Sequence, residues 1–204
     1  MGSTGILVAL IVVTIALTAV LLVRPAITAG TTGKILAFVA LCVLPALCIE
    51  AGMSTHMQRS EQTQFCVSCH SMTTHGQSLY VDDPTYLAAQ HFQNHRVSPD
   101  MACYACHTDY TIYGPFKDKL QGVKRIYIQY LSTPPATIHI SGGYSNLQCL
   151  HCHAGARNFE ENPVHHPMMD SLTTNQVSCI SSGCHDTVHN ASQVGQLKMW
   201  RPGQ

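Results

Sequence analysis

Charge is what this sequence has least of. Asp, Glu, Lys and Arg together make up 11% of its 204 residues, and eleven basic residues cancel eleven acidic ones. A chain with no basic excess has nothing to set against a phosphate backbone, and 46% apolar residues is too many for a disordered chain. Nucleic-acid binding and disorder are both excluded. The scarcity is also uneven: residues 6–23 and 35–49 carry no charged side chain, and residues 1–5 carry no Lys or Arg. Long periodic segments are scarce as well. Residues 54–204 have too few of them to build an ordinary core.

The uncharged stretches read as membrane spans. As a helix, residues 6–23 reach roughly 27 Å at about 1.5 Å per residue, enough with their flanks for a hydrocarbon core of about 30 Å. A cleaved signal peptide would have a positive n-region and a shorter apolar core, and this segment has neither. The second run is shorter and contains Pro45, so alone it also fits a buried helix. Extended through residues 31–33 and 51–53 it becomes long enough to span. The reading is a retained hairpin over residues 1–53. Arg24 and Lys34, in the loop between the runs, are the basic residues that precede Arg59. The positive-inside rule therefore puts that loop in the cytoplasm and both ends on the opposite side.

Against this apolar background stand ten cysteines, eight of them in a repeated pattern. Cys66-Val67-Ser68-Cys69-His70, Cys103-Tyr104-Ala105-Cys106-His107 and Cys149-Leu150-His151-Cys152-His153 all match C-x-x-C-H, the haem c attachment motif. Cys179-Ile180-Ser181-Ser182-Gly183-Cys184-His185 is a stretched version with four residues between the thiols. In such a motif the cysteines bond the haem vinyl groups and the histidine ligates iron. Zinc ribbons and disulfides also use paired cysteines, but neither requires a histidine after each second cysteine. Cys42 and Cys48 lie in the apolar run and read as buried, inert small hydrophobes. Haem is attached to such motifs on the periplasmic side of bacterial membranes, where the topology already places residues 54–204.

Low-spin irons need a second axial ligand, from His or Met. Beyond His70, His107, His153 and His185, nine histidines remain: His56, His75, His91, His95, His139, His151, His165, His166 and His189. Met72, two residues after His70, is a ligand candidate by spacing, with a flexible core methionine as the alternative. Gly114–Leu131 reads as an amphipathic helix, with Phe116, Leu120, Val123, Tyr127, Tyr130 and Leu131 recurring near the helical period. Lys117, Lys119, Lys124 and Arg125 crowd it, with Asp118 the one acid. Such a helix either packs its apolar face beneath a solvated one or contacts anionic headgroups. Pro134-Pro135 is expected to end it, and Ser141-Gly142-Gly143 to open a loop toward the third motif.

With motif order and spacing in hand, residues 64–190 resemble the NapC/NirT/NrfH family of membrane-anchored tetrahaem quinol dehydrogenases. The resemblance rests on Gln64-Phe65 and the first motif through Met72, His91-Phe92-Gln93-Asn94, the lysine-rich helix, and Cys184-His185-Asp186-Thr187-Val188-His189-Asn190. The C-x-x-C-H-x-M form is characteristic of the NrfH branch. It implies that Met72 ligates an iron and that the first haem lies by the membrane, where quinol electrons are taken in. The resemblance further implies His91 and His189 as distal ligands, with one of His165 and His166 as another and His75 and His139 in reserve. Asp109, Asp118, Lys117 and Lys119 are the quinol-site candidates. Two features depart from the family: the second apolar run and the long fourth motif.

The expected fold is mostly α with long loops: a transmembrane helical hairpin (1–53), then a small periplasmic multihaem cytochrome c domain (54–204) with haems as its core. The expected cofactors are four covalent haem c groups, with menaquinol or ubiquinol as substrate. The expected function is electron transfer from membrane quinol to a periplasmic reductase or cytochrome, at the bacterial inner membrane and in contact with its lipid. Any enzymatic activity would be quinol dehydrogenation. The alternative is a relay subunit of a larger respiratory or photosynthetic complex with no quinol site of its own. A terminal reductase stands third, because a substrate iron needs a vacant position.

Overall fold

A computed structural model of the chain describes residues 2–133, 135 and 144–203. Pro134, His139 and Ser141-Gly142-Gly143 lie outside the described residues. The chain divides into two compact units, Met1–Glu61 and Gln62–Gln204.

The first unit is a helical hairpin. Helix α1 (Ser3–Val23) is joined by a 3-10 turn (Pro25–Ala29) to α2 (Thr31–Phe38), which continues through a π segment (Val39–Val43) into α3 (Leu44–Ser60). Pro45 has no N–H to donate, and its ring crowds the carbonyl of Leu41 one turn earlier. The widened π turn lies over that carbonyl, so the helix continues past a residue that would otherwise break it. The two arms run antiparallel. Arg59 Nη2 donates to Thr4 Oγ1 at 3.1 Å, Thr14 Oγ1 lies 3.5 Å from Cys48 Sγ, and the open face of Gly52 meets Leu7. At the bend, a Cβ on Gly33 would lie 1.7 Å from the Ile27 carbonyl oxygen, so only glycine fits.

Ser3–Val23 and Thr31–Ser60 are each long and apolar enough to cross a membrane, with mean hydropathies of 3.2 and 2.3. Leu22 and Ile49 are 77% and 71% exposed, as lipid-facing residues are and core residues are not. Cys42, read from sequence as a buried hydrophobe, is also exposed, and Cys48 is half-buried. In a helix pair with no third layer, most side chains face outward.

The second unit is built from short helices: α4 (Thr63–Val67), α5 (Thr73–Ser78), α6 (Leu87–Gln93), α7 (Ala102–His107), the long α8 (Gly114–Leu131), α9 (Leu147–His153), α10 (Arg157–Glu160) and α11 (Met169–Thr173). No strand occurs among the described residues; Val81 and Met199 form one isolated bridge. Apolar burial is thin. Val81, Tyr86, Ala89 and Val194 form one cluster, and Leu79, Phe92 and Ala102 another, against which Val97 and Trp200 pack. The C-terminal segment closes both clusters. Trp200 N–H donates to Tyr80 O at 2.6 Å, Asp82 N–H to Lys198 O at 2.9 Å, and Lys198 pairs with Asp82.

Candidate haem-binding site

Two of the four motifs are single turns of helix. In α7 and α9 the spacing C-x-x-C-H places both thiols and the histidine on one face, at i, i+3 and i+4. The first motif starts in α4 and ends in a 3-10 turn, His70–Met72. The fourth is a coil of turns, and what closes it is specific: His185 N–H donates to Cys179 O at 3.0 Å and Cys184 N–H to Ser181 O at 2.9 Å. Gly183 sits at φ +83°, where a side chain would be strained, and its N–H is held by Asp186 Oδ2 at 3.1 Å. The two additional residues are thus looped out while His185 stays bonded to the first cysteine.

The motifs are neighbours in space in the order they have in sequence. Thr63 Oγ1 donates to Pro99 O and accepts from Ala102 N–H, both at 2.8 Å, lashing α4 to the start of α7. The Cys66 thiol of the first motif hydrogen-bonds Cys103 of the second, which together with burial pushes it up. Cys149 of the third motif lies against Cys179 of the fourth; burial first, then Cys179, pushes Cys149 up to about 12. Cys106 and Cys152 are near enough for the charge of one to raise the other. Buried Asn146 fixes the junction of the third and fourth motifs. Its Nδ2 donates to Leu172 O at 2.8 Å and Val177 O at 2.7 Å, and its Oδ1 accepts from Cys179 N–H at 2.9 Å. Two tyrosines brace α7: Tyr144 donates to Cys106 O and Tyr110 to Ala105 O, both at 2.7 Å, and Tyr110 stacks on His151 at 3.7 Å.

The second, third and fourth motif histidines each face another histidine. Ring centres are 6.1 Å apart for His107 and His189, 6.0 Å for His153 and His91, and 6.2 Å for His185 and His165. An imidazole nitrogen sits about 2 Å from a transition metal and its ring centre about 1 Å beyond, so two rings on opposite sides of one iron have centres about 6 Å apart. The spacing fits. Each facing histidine also has its Nδ1 occupied. His91 Nδ1–H donates to Leu87 O at 2.8 Å and His165 Nδ1–H to Phe159 O at 3.2 Å. Ser78 Oγ donates its proton to His75 O at 2.6 Å, so at the 2.7 Å contact with His189 the histidine Nδ1–H must be the donor. In all three the Nε2 lone pair is left for a metal.

Electrostatics agree. Burial, then His107 and His75, holds His189 down to about 4, keeping it neutral. His107 and His153 are lowered first by desolvation although both residues are exposed, as befits rings lining a hollow. No group of three or more His, Cys, Asp or Glu side chains able to hold a metal ion occurs among the described residues.

Of the adjacent pair, His165 faces His185, and His166 is exposed. His75, held in reserve from sequence, lies 5.3 Å from His189 between ring centres, and its buried Nδ1 has no hydrogen-bond partner. His70 is exposed and Met72 half-buried in the same 3-10 turn. Asp109, Lys117 and Asp118 are gathered at the base of α8. Lys117 Nζ pairs with Asp109 at 3.2 Å, and Asp118 Oδ2 accepts from Asp109 N–H at 2.7 Å and the Thr108 hydroxyl at 3.1 Å. Gly114 permits this turn, since a Cβ there would lie 1.7 Å from the Asp109 carbonyl oxygen. Lys119 Nζ stands 4.9 Å above the Tyr104 ring, and its charge reaches Cys66. Ser78 and Asn146 were not singled out from sequence; a serine or an asparagine outside a motif carries no mark of what it will meet.

An apolar anchor followed by cysteine–histidine motifs with paired histidines is the pattern of a membrane-anchored multihaem c-type cytochrome acting in electron transfer. The family model of the NapC/NirT cytochrome c family, N-terminal region, matches residues 29–141, and the chain belongs to that family. Covalently bound haem c follows from that membership. The matched region starts in the bend after α1 and contains the second apolar helix and the first two motifs. No curated protein and no solved structure gives a significant match.

Proposed function

We propose that this protein holds four haem c groups and carries electrons from membrane quinol to a periplasmic redox partner. The observation that carries the reading is the threefold pairing of a motif histidine with a second histidine whose Nδ1 is already committed. Haem iron supplies reversible one-electron transfer, with potentials set by axial ligands and burial. Cys66, Cys69, Cys103, Cys106, Cys149, Cys152, Cys179 and Cys184 provide the thioether attachments. His107 with His189, His153 with His91, and His185 with His165 would hold three of the irons through imidazole nitrogens, and His70 and Met72 would serve the first motif. The thin apolar core supports the cofactors as the remainder of the core.

Quinol oxidation releases protons as well as electrons. The network of Asp109, Asp118 and Lys117, with Lys119 near the first motif, offers a carboxylate and cationic groups and so supports a quinol site there. The two-span anchor supports a second reading, a relay subunit docked to other membrane subunits with no quinol site. Paired histidines at three of the four motifs argue against a terminal reductase. One experiment separates these. The purified protein should contain four haems per chain by pyridine haemochrome assay, and a menaquinol analogue should reduce them, more slowly in Asp118→Asn and Lys119→Ala. Full haem content with no reduction by quinol would select the relay subunit.

A further inference from the structure

We propose that α8 is a second membrane contact: its apolar face lies in the headgroup region of the anionic bilayer that holds the N-terminal spans. The helix is amphipathic the wrong way round for a soluble domain. At 3.6 residues per turn, Tyr130, Val123, Phe116, Tyr127, Leu120 and Leu131 fall within an arc about 100° wide. Those six side chains are between 56% and 74% exposed. The face turned inward is mostly polar: Asp118, Gln121 and Arg125 are half-buried there with Ile128, and Asp118 is bonded to Thr108 and Asp109. A helix that packed by burying its apolar stripe would show the reverse. Ile112 and Tyr113, at the foot of the same helix, are exposed as well.

The chemistry of the arc identifies what covers it. Lys124, exposed on one rim, sits where a long cationic side chain reaches headgroups while its stem lies along apolar surface; Lys117 and Lys119, at the two rims, are turned to Asp109 and to the Tyr104 ring. Tyr113, Tyr127 and Tyr130 are of the residue type that concentrates at the membrane–water boundary. An apolar arc with no acid on it and Lys124 at its rim matches an anionic surface rather than an apolar protein groove. The membrane is also always at hand, because the second unit begins at Gln62, directly after α3 ends at Ser60. A tethered helix needs only weak intrinsic affinity to stay docked. This inference is independent of which molecule supplies electrons.

The test uses the full-length haem-loaded protein in vesicles of phosphatidylglycerol and phosphatidylcholine containing a trace of photoactivatable phosphatidylglycerol. After illumination, lipid adducts are mapped by mass spectrometry and scaled to those on the two spans. Adducts on residues 112–131 are expected, and Lys124→Gln should lower them about fivefold, the effect of one charge near an anionic surface. Val123→Asp, at an exposed position that spares the fold, should nearly abolish them with haem content unchanged. Labelled spans beside an unlabelled α8 would overturn the proposal. So would cross-links from α8 to a second copy, or labelling that Lys124→Gln leaves unaltered.

Discussion

Replacing Asn146 with alanine is expected to destabilise the haem domain by about 3 kcal/mol and to disturb the fourth motif before the others. The side chain is 1% exposed and makes three hydrogen bonds of 2.7 to 2.9 Å, to Leu172 O, Val177 O and Cys179 N–H. Each contributes about 1 kcal/mol net, and a buried partner left unpaired costs about 1–3 kcal/mol unless water reaches it. The gap left by the amide is small and polar-walled, so a water can recover part of the loss. A domain of this size has a guanidinium m-value of about 4 kcal/mol per molar, so the midpoint should fall by about 0.7 M. The assay is guanidinium unfolding of the detergent-solubilised holoprotein, followed by the Soret band and by low-spin electron paramagnetic resonance signals. Because Cys179 opens the fourth motif, the signal of the His185 iron should change first. A midpoint shift below about 0.2 M with unaltered spectra would refute the assignment of Asn146 as the junction between motifs.

His165→Ala should convert one iron from low to high spin, whereas His166→Ala should leave the spectrum of the holoprotein unaltered; equal effects would dissolve the pairing with His185. Ser78→Ala removes the acceptor for His189 Nδ1–H and weakens that imidazole as a donor to ferric iron. One midpoint potential should then rise by an amount on the order of tens of millivolts in a redox titration. No change would mean that Ser78 does not hold His189. Gly183→Val forces a branched side chain into φ +83° at a cost of about 1–2 kcal/mol. It should lower haem content toward three per chain by pyridine haemochrome, and a content still at four would show that the loop can close another way.

What sequence made legible was whatever is written locally. Gly114–Leu131 has the bounds its periodicity implied, and the second apolar run is a helix despite Pro45. Illegible was whatever depends on residues distant in the chain. Ser78 and His189 are 111 positions apart, and nothing near either announces the other. The choice of His165 over His166 turns on which ring aims at His185, a matter of local backbone direction that adjacent identical residues conceal. The orientation of α8 shows the limit most plainly: periodicity says that a helix has two faces and is silent on which one meets its own domain.

The C-terminal segment bears on the order of assembly. Trp200, Lys198 and Val194 close the clusters around Leu79, Val81 and Phe92, and Leu87 N–H donates to Thr187 O. A chain synthesised from its N-terminus therefore exposes both clusters until Val194 and Trp200 have been made. His107 likewise waits for His189, supplied by that same late segment. Closure of the domain and the approach of His189 to His107 are one event, so a chain that stopped at Val188 would forfeit both together.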